Sequence, residues 1–563
     1  MPGPNIGNNA QIGLAVREGR LEESILDRAL ERILSLIFKT QDALAEDFSY
    51  DRDAHHSLAR TAAGEGAVLL KNQEKTLPLE KDCQVALIGE MARTPRYQGA
   101  GSSLVNPSRM ETIQSEMIRI TGEGPIQFAP GYRENSLELD PALIVQAVEL
   151  ARQAELVVIC AGLPDDFEVE GLDREHMRLP ESHNRLIEAV ADVSSRVVVV
   201  LSNGSPVEMP WIDRVQAVLE GYLGGQAGGG AIADILYGLV NPSGKLAETF
   251  PRALEDTPSY QYFPGGPRTV EYRESLYVGY RFFDTVDREV LFPFGHGLSY
   301  TTFEYGDLEL SAPQISEGDT LQVSLQIKNS GSRSGKETIQ LYVSPTAPTA
   351  FRPVKELKGF SKVDLRPGEQ KKVIFNLDRR AFAFYSTELQ DWQVESGIFR
   401  ILVGASSRDI RSTGEVQVSS NRLEAAVAER DQLSAYVNFP ASAEISREDF
   451  EELLGRRLPE NRLRKKGSYT MNTPVSDLSG SLVGRWLASY LQKQVEGLVK
   501  TDPDSSSALM MRSMVQSMPL RAIGMMSGGA VSRAALEGVL TMVNGSFFKG
   551  LIAAIKASWG KGK

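Results

Sequence analysis

Eight consecutive residues, Phe167-Glu168-Val169-Glu170-Gly171-Leu172-Asp173-Arg174, put three carboxyl groups and one guanidinium into a single short stretch. A carboxyl group can donate a proton, take one up, or attack an electrophilic carbon, and its surroundings decide which. Of Glu168 and Glu170, one is expected to face any given cleft. An acidic loop by itself is more often simply solvated. What this stretch can do therefore depends on the elements that hold it.

Upstream, Leu156-Val157-Val158-Ile159-Cys160-Ala161-Gly162-Leu163 is a β-branched apolar run that reads as a buried strand. Downstream, Pro180 and Glu181 lead into Leu186-Ile187-Glu188-Ala189-Val190, which reads as a helix. The acidic stretch is then a loop at the carboxyl end of a strand, where open α/β sheets place their working groups. The same alternation runs through residues 51–265. Strands are predicted at Ala67–Leu70, Val85–Ile88, Leu156–Cys160, Val197–Leu201 and Ala217–Glu220, with helical patterns between them such as Asp140–Ala151. Continuous apolar strands separated by helices predict a parallel sheet covered on both faces.

Residues 301–420 change to period two. Val323, Leu325 and Ile327 alternate with polar residues, as do Ile339, Leu341 and Val343, then Val373, Phe375 and Leu377, then Phe399, Ile401 and Val403. Turn signals such as Asn329-Ser330-Gly331 and Arg366-Pro367-Gly368 part them, so an antiparallel β-sandwich of immunoglobulin or fibronectin class is predicted. Residues 266–300 form a connector. Residues 421–563 are helical and polar, then rich in methionine (Met510, Met511, Met514, Met518, Met525, Met526). These methionines read as adaptable core packing, with a Met-lined partner groove as the alternative. The loop around Asn461–Gly467 reads as a solvated basic connector, and Lys561-Gly562-Lys563 as a frayed end. Within residues 1–50, Ile25, Ala29, Ile33, Leu36 and Ile37 share one helical face, which needs another body to cover it.

Composition narrows the function classes. A net charge of −12 in 563 residues argues against nucleic acid and against an anionic membrane surface as partners. Cys83 and Cys160 each sit in a strand-like run and predict two buried free thiols. The start Met1-Pro2-Gly3-Pro4-Asn5 shows no signal-peptide pattern and no apolar run reaches spanning length, so a cytoplasmic protein is expected. The glycine-rich run Gly224–Ala231 lacks the spacing of a nucleotide loop and reads as tight backbone approach between strand, loop and helix. The five histidines have no metal-ligand spacing, and no Ser or Cys sits in a nucleophile elbow. Carboxylate chemistry without metal or cofactor is what is left.

An ordered series of motifs then closely resembles glycoside hydrolase family 3, of the β-glucosidase type. It runs through Leu69-Leu70-Lys71-Asn72, Gly99-Ala100-Gly101-Ser102-Ser103, Glu168–Arg174 and Gly204-Ser205-Pro206-Val207-Glu208-Met209-Pro210-Trp211. It continues in Gly224-Gly225-Gln226, Asn241–Leu246, Thr249-Phe250-Pro251, Tyr277–Phe282 and Phe292–Thr301, and Lys355–Phe360 resembles the family's fibronectin-like domain. The resemblance implies hydrolysis of terminal non-reducing β-D-glucosyl residues of a small β-glucoside or oligosaccharide, by a retaining mechanism built on two carboxyl groups. By motif position the acid/base is Glu170, with Glu168 as fallback. Gly101 and Ser102 are implied to face the sugar. Asp173 and Arg174 stand near it, read either as an ion pair holding the loop or as sugar contacts. The nucleophile is implied to be an Asp on an N-terminal (β/α)8 barrel. Met1-Pro2-Gly3-Pro4 looks like the tail of that barrel and residues 12–39 like its last helix, and no Asp in the chain matches the nucleophile motif. The expectation is a barrel lying upstream or on another polypeptide, with this chain inactive alone. The alternatives are an inactive carbohydrate-binding scaffold, or β-xylosidase-type specificity in the intact enzyme. The uncovered apolar helix further predicts self-association, a homo-oligomer included.

Overall fold

The computed structural model describes residues 8–44, 49–102, 104–134, 136–348, 350–387, 389–420, 433–499, 505–527 and 531–559. Met1-Pro2-Gly3-Pro4, Ser103 and Lys561-Gly562-Lys563 lie outside them. Helices α1 (Asn8–Arg17) and α2 (Glu23–Asp42) come first. The α/β domain follows with α3 (Arg52–Gly66), β1 (Val68–Asn72), β2 (Val85–Ile88), α4 (Ile113–Thr121), β3 (Ile126–Ala129), α5 (Pro141–Gln153), β4 (Leu156–Gly162), α6 (Glu181–Ala191), β5 (Val197–Ser202), β6 (Ala217–Glu220) and α7 (Gly228–Leu236). Side-chain caps start three of the helices. Asp51 accepts from the N–H groups of Asp53 and Ala54, Thr112 forms a capping box with Ser115, and Asp140 accepts from Ala142 with Pro141 at the first helical position.

The six strands lie in the order β1-β6-β5-β4-β2-β3. Five are parallel, whereas β1 pairs antiparallel with β6, so the sheet is parallel except at one edge. Alternate residues face two cores. Val157, Ile159, Val197, Val199 and Leu201 pack with Leu186, Ile187 and Val190 of α6. Val158, Cys160, Val198, Val200 and Leu219 pack on the other face with Met117 of α4 and Ile232, Ile235 and Leu236 of α7. Both thiols are buried and free, and burial pushes that of Cys160 up to about 12. The glycine-rich run does serve close approach: a Cβ on Gly229 would stand 2.4 Å from the carbonyl oxygen of Glu111.

Beyond the connector, a β-sandwich closes over Val323, Leu325, Ile327, Ile339, Leu341, Val343, Phe399, Ile401 and Val403. One sheet carries Leu321–Asn329 between Gln370–Leu377 and Phe303–Tyr305. The other runs Glu356–Leu365, Gly335–Pro345, Gly397–Gly404, Ile410–Ser419 and Gln314–Ser316, its last pair parallel. The C-terminal region is helical with a small core of its own around Leu478, Leu520 and Val543. Core packing describes Met518 there but not Met511, Met514 and Met525, which are exposed. No helix among the described residues is long and apolar enough to cross a membrane.

Helix α2 has no buried residue. Ile25, Leu26, Leu30, Ile33, Leu34, Leu36, Ile37 and Phe38 are all exposed, Leu36 at 65% and Phe38 at 59%. Burying one such side chain stabilises by roughly 1.5–3 kcal/mol, so this face is expected to favour association. Sedimentation velocity is expected to show concentration-dependent oligomers, and Ile33→Asp with Phe38→Asp is expected to shift them toward monomer. A wild-type chain that stays monomeric across the range contradicts this.

Candidate active site

The acidic loop leaves the carboxyl end of β4, a strand buried at every residue. A short 3-10 turn, Asp165–Phe167, ends at Glu168, whose φ of −135° and ψ of 64° break the extended run. In a regular strand residues two apart share a face; this break sends the two glutamates to different places. Between them Val169 is buried and bridges in parallel to Ala100, tying the acidic loop to the Gly99–Ser102 loop.

Glu168 is tied into the loop architecture. Its side chain is 12% exposed and lies 3.6 Å from Arg96 and 3.8 Å from Arg174. The Gly204 N–H donates to it at 2.8 Å and the Ser205 hydroxyl at 2.5 Å. Arg96 also pairs with Asp165 at 2.8 Å and donates to the carbonyl of Leu163, so one buried guanidinium ties the whole segment 163–168 to its own loop. Sequence reasoning assigned nothing to Arg96, Gly204 or Ser205. The signal that could have found the last two was the Gly204-Ser205-Pro206 motif at the end of the neighbouring strand β5.

Glu170 is placed differently. It is exposed, and among the described residues it forms no ion pair. Its Oε2 accepts from the Ser102 N–H at 3.0 Å and from the Ser102 hydroxyl. Those bonds favour the ionised form and hold the carboxyl below its usual range, hydroxyl first and backbone second. Gly101 makes room for this contact: its φ is +102°, and a Cβ there would stand 2.8 Å from the Cβ of Glu170. Leu104 and Val105, which follow the Ser102 loop, and Leu172, two residues after Glu170, are exposed apolar side chains. Replacing Ser102 by Ala is expected to raise the Glu170 carboxyl toward its ordinary value, read by NMR titration. Its bonds stabilise the folded chain above the unfolded carboxyl range, and that contribution is lost as pH falls through the lowered pKa. An unmoved titration would contradict the assignment.

Of the other expected residues, Asp173 and Arg174 do not pair with each other. Asp173 is exposed, while the Arg174 Nη1 donates 2.6 Å to Ser205 and 3.2 Å to the carbonyl of Pro206 as it faces Glu168. The loop is held by Arg174 and Glu168, because Asp173 points to solvent and the deeper carboxylate is the one in reach. One contact reaches the loop from far along the chain. In the C-terminal helix Ser506–Ser517, the Ser513 hydroxyl donates 2.5 Å to the carbonyl of Gly171. On the same helix Met510 brings its sulfur to 3.2 Å from where a Cβ on Gly101 would sit. The carboxylate is thus presented on the loop after β4, held by Ser102 of the loop after β2, with that helix beside both loops.

An exposed carboxylate thus stands on a strand-end loop of a two-sided α/β sheet, and a β-sandwich follows in the chain. Residues 67–300 match the glycosyl hydrolase family 3 C-terminal domain, and residues 337–407 a fibronectin type III-like domain. By this match residues 67–300 are a glycosyl hydrolase family 3 C-terminal domain. It is 46% identical over 531 residues to thermostable beta-glucosidase B of Acetivibrio thermocellus, covering 94% of this chain and 65% of that protein. It is 41% identical over 426 residues to an exo-alpha-(1->6)-L-arabinopyranosidase of Bifidobacterium longum, covering 73% and 55%. Among solved structures, the family 3 beta-glucosidase of Bifidobacterium adolescentis superposes with a TM-score of 0.71 at 39% identity, covering 78% of this chain and 64% of that one. The chain thus spans between about half and two thirds of the length of these relatives.

Proposed function

We propose that this chain supplies the acid/base half of a retaining β-glucosidase, with Glu170 as the proton donor and a (β/α)8 barrel as the partner that brings the nucleophilic Asp. The observation that carries the reading is the Glu170 carboxylate itself. It is exposed, free of ion pairs among the described residues, and fixed by Ser102 on a strand-end loop, while its neighbour Glu168 is tied into ion pairs. A retaining glycosidase needs two carboxyl groups about 5–5.5 Å apart, one attacking the anomeric carbon and one protonating the leaving oxygen. As it stands Glu170 is held ionised, the state of a base and not of an acid. A barrel laid over Leu104, Val105 and Leu172 would exclude water from the carboxyl and raise its pKa into the range of a general acid. After leaving-group departure the same group, now ionised, takes a proton from the attacking water, and the Ser102 bonds favour that state.

The test is hydrolysis of p-nitrophenyl β-D-glucopyranoside, β-D-xylopyranoside and α-L-arabinopyranoside by the chain joined to a family 3 barrel. The glucoside is expected to have the highest kcat/KM, and Glu170→Gln to lower kcat by about 10²–10⁴. Preference for one of the other glycosides would overturn the sugar assignment, and an unchanged kcat would overturn the role of Glu170.

A further inference from the structure

Beside Arg174, on a wall that Glu170 does not line, lies a cavity of about 580 Å3 between the α/β domain and the connector. Its size falls within the roughly 300–1,000 Å3 of small-molecule pockets. Four side chains lining it carry buried polar atoms without a hydrogen-bond partner among the described residues. They are Arg174 through Nε and Nη2, His176 through Nδ1, Thr249 through Oγ1 and Glu274 through Oε2. Thr249 and Glu274 are only 7% and 5% exposed. Buried polar groups are nearly always paired, so four unpaired ones among the residues lining one cavity point to a polar occupant.

The partners that these atoms call for are mixed. The guanidinium nitrogens only donate, the carboxylate oxygen accepts, and the hydroxyl does both. An anion matched to Arg174 would meet Glu274, and a cation matched to Glu274 would meet Arg174. A neutral molecule whose hydroxyls each donate and accept satisfies both. Tyr280 and Phe294, whose rings stack with centroids 4.7 Å apart, add apolar area to the lining, as small-molecule pockets combine apolar walls with a few polar groups. We infer that this cavity is a second carbohydrate site, binding a neutral polyhydroxylated ring the size of a monosaccharide. It stands on residues other than Glu170 and does not depend on the catalytic reading.

D-glucose is the probe, with D-glucuronate and D-glucosamine as charged counterparts, titrated into the full chain by saturation-transfer NMR. Glucose is expected to bind with a millimolar Kd, and each charged analogue about tenfold more weakly because it buries a charge beside a like one. Thr249→Val and Glu274→Gln are each expected to weaken glucose about 3–10-fold. Ser259→Trp, which fills the cavity from its lining, is expected to abolish binding with the thermal midpoint unchanged. Glu170→Gln is expected to leave the Kd as it is, which separates this site from the proposed acid/base. A solvated cavity without measurable affinity for glucose, or binding that survives Ser259→Trp or falls with Glu170→Gln, would overturn the inference. Loss of aryl glucoside hydrolysis by the barrel-joined protein would not bear on it.

Discussion

The chain alone is expected to release p-nitrophenol from p-nitrophenyl β-D-glucopyranoside at the rate of buffer, and joining it to a family 3 barrel is expected to give turnover. The effect is large because a retaining glycosidase divides its chemistry between two carboxyl groups about 5–5.5 Å apart. Without the attacking group no glycosyl-enzyme forms, and proton donation has nothing to assist. The proposed acid is also unprepared, since Glu170 is exposed and held below the ordinary carboxyl range by Ser102. Both deficits are repaired by the same event, the covering of the Glu170 face. Turnover by the isolated chain that Glu170→Gln abolishes would show that it carries its own nucleophile and would refute this division of labour.

The second large effect concerns stability and pH. Glu220, at the end of β6, is fully buried, and burial pushes its carboxyl from 4.5 up to about 8 against the bonds donated by Tyr222 N–H and Asn203. Between those values the folded chain holds a proton that the unfolded chain has lost. Stability therefore falls as pH rises from about 4.5 through about 8. At 1.36 kcal/mol per unit, the swing is on the order of 5 kcal/mol. Glu220→Gln keeps the shape and removes the titration. Whatever bond its amide nitrogen loses, the variant is expected to keep a level urea midpoint from pH 5 to above pH 8, while that of wild type falls. Parallel pH profiles for the two proteins would contradict this.

Both predictions concern carboxyl groups at strand ends, and the sequence exposes those strands well. The runs at Val85–Ile88 and Ala217–Glu220 have in the structure the limits that their apolar patterns define. The alternating apolar residues of the sandwich all turn inward. Strand β3 went unread because Ile126-Gln127-Phe128-Ala129 is too short and too polar to stand out from a loop. That β1 runs antiparallel is a fact of pairing, which no single strand's pattern encodes. At the candidate site the motif located Glu170, but the separation of Glu168 from Glu170 depends on one non-extended residue and on Arg96 and Ser205 from other loops. The expected Asp173–Arg174 pair failed for the same reason. Neighbours in sequence pair only if the loop turns them together, and here the partner is Glu168. The Ser513–Gly171 contact joins residues 342 apart, so a methionine-rich helix that reads as core packing instead lies beside the acidic loop.

Proton donation by Glu170 is tested most directly by varying the leaving group in the barrel-joined protein. A phenoxide must be protonated as it departs, whereas a 2,4-dinitrophenoxide leaves unaided. For Glu170→Gln, the first-step kcat/KM is expected to fall by about 10²–10⁴ with phenyl β-D-glucopyranoside and by less than about tenfold with the 2,4-dinitrophenyl glucoside. An equal fall for the two substrates would contradict a role in protonating the glycosidic oxygen.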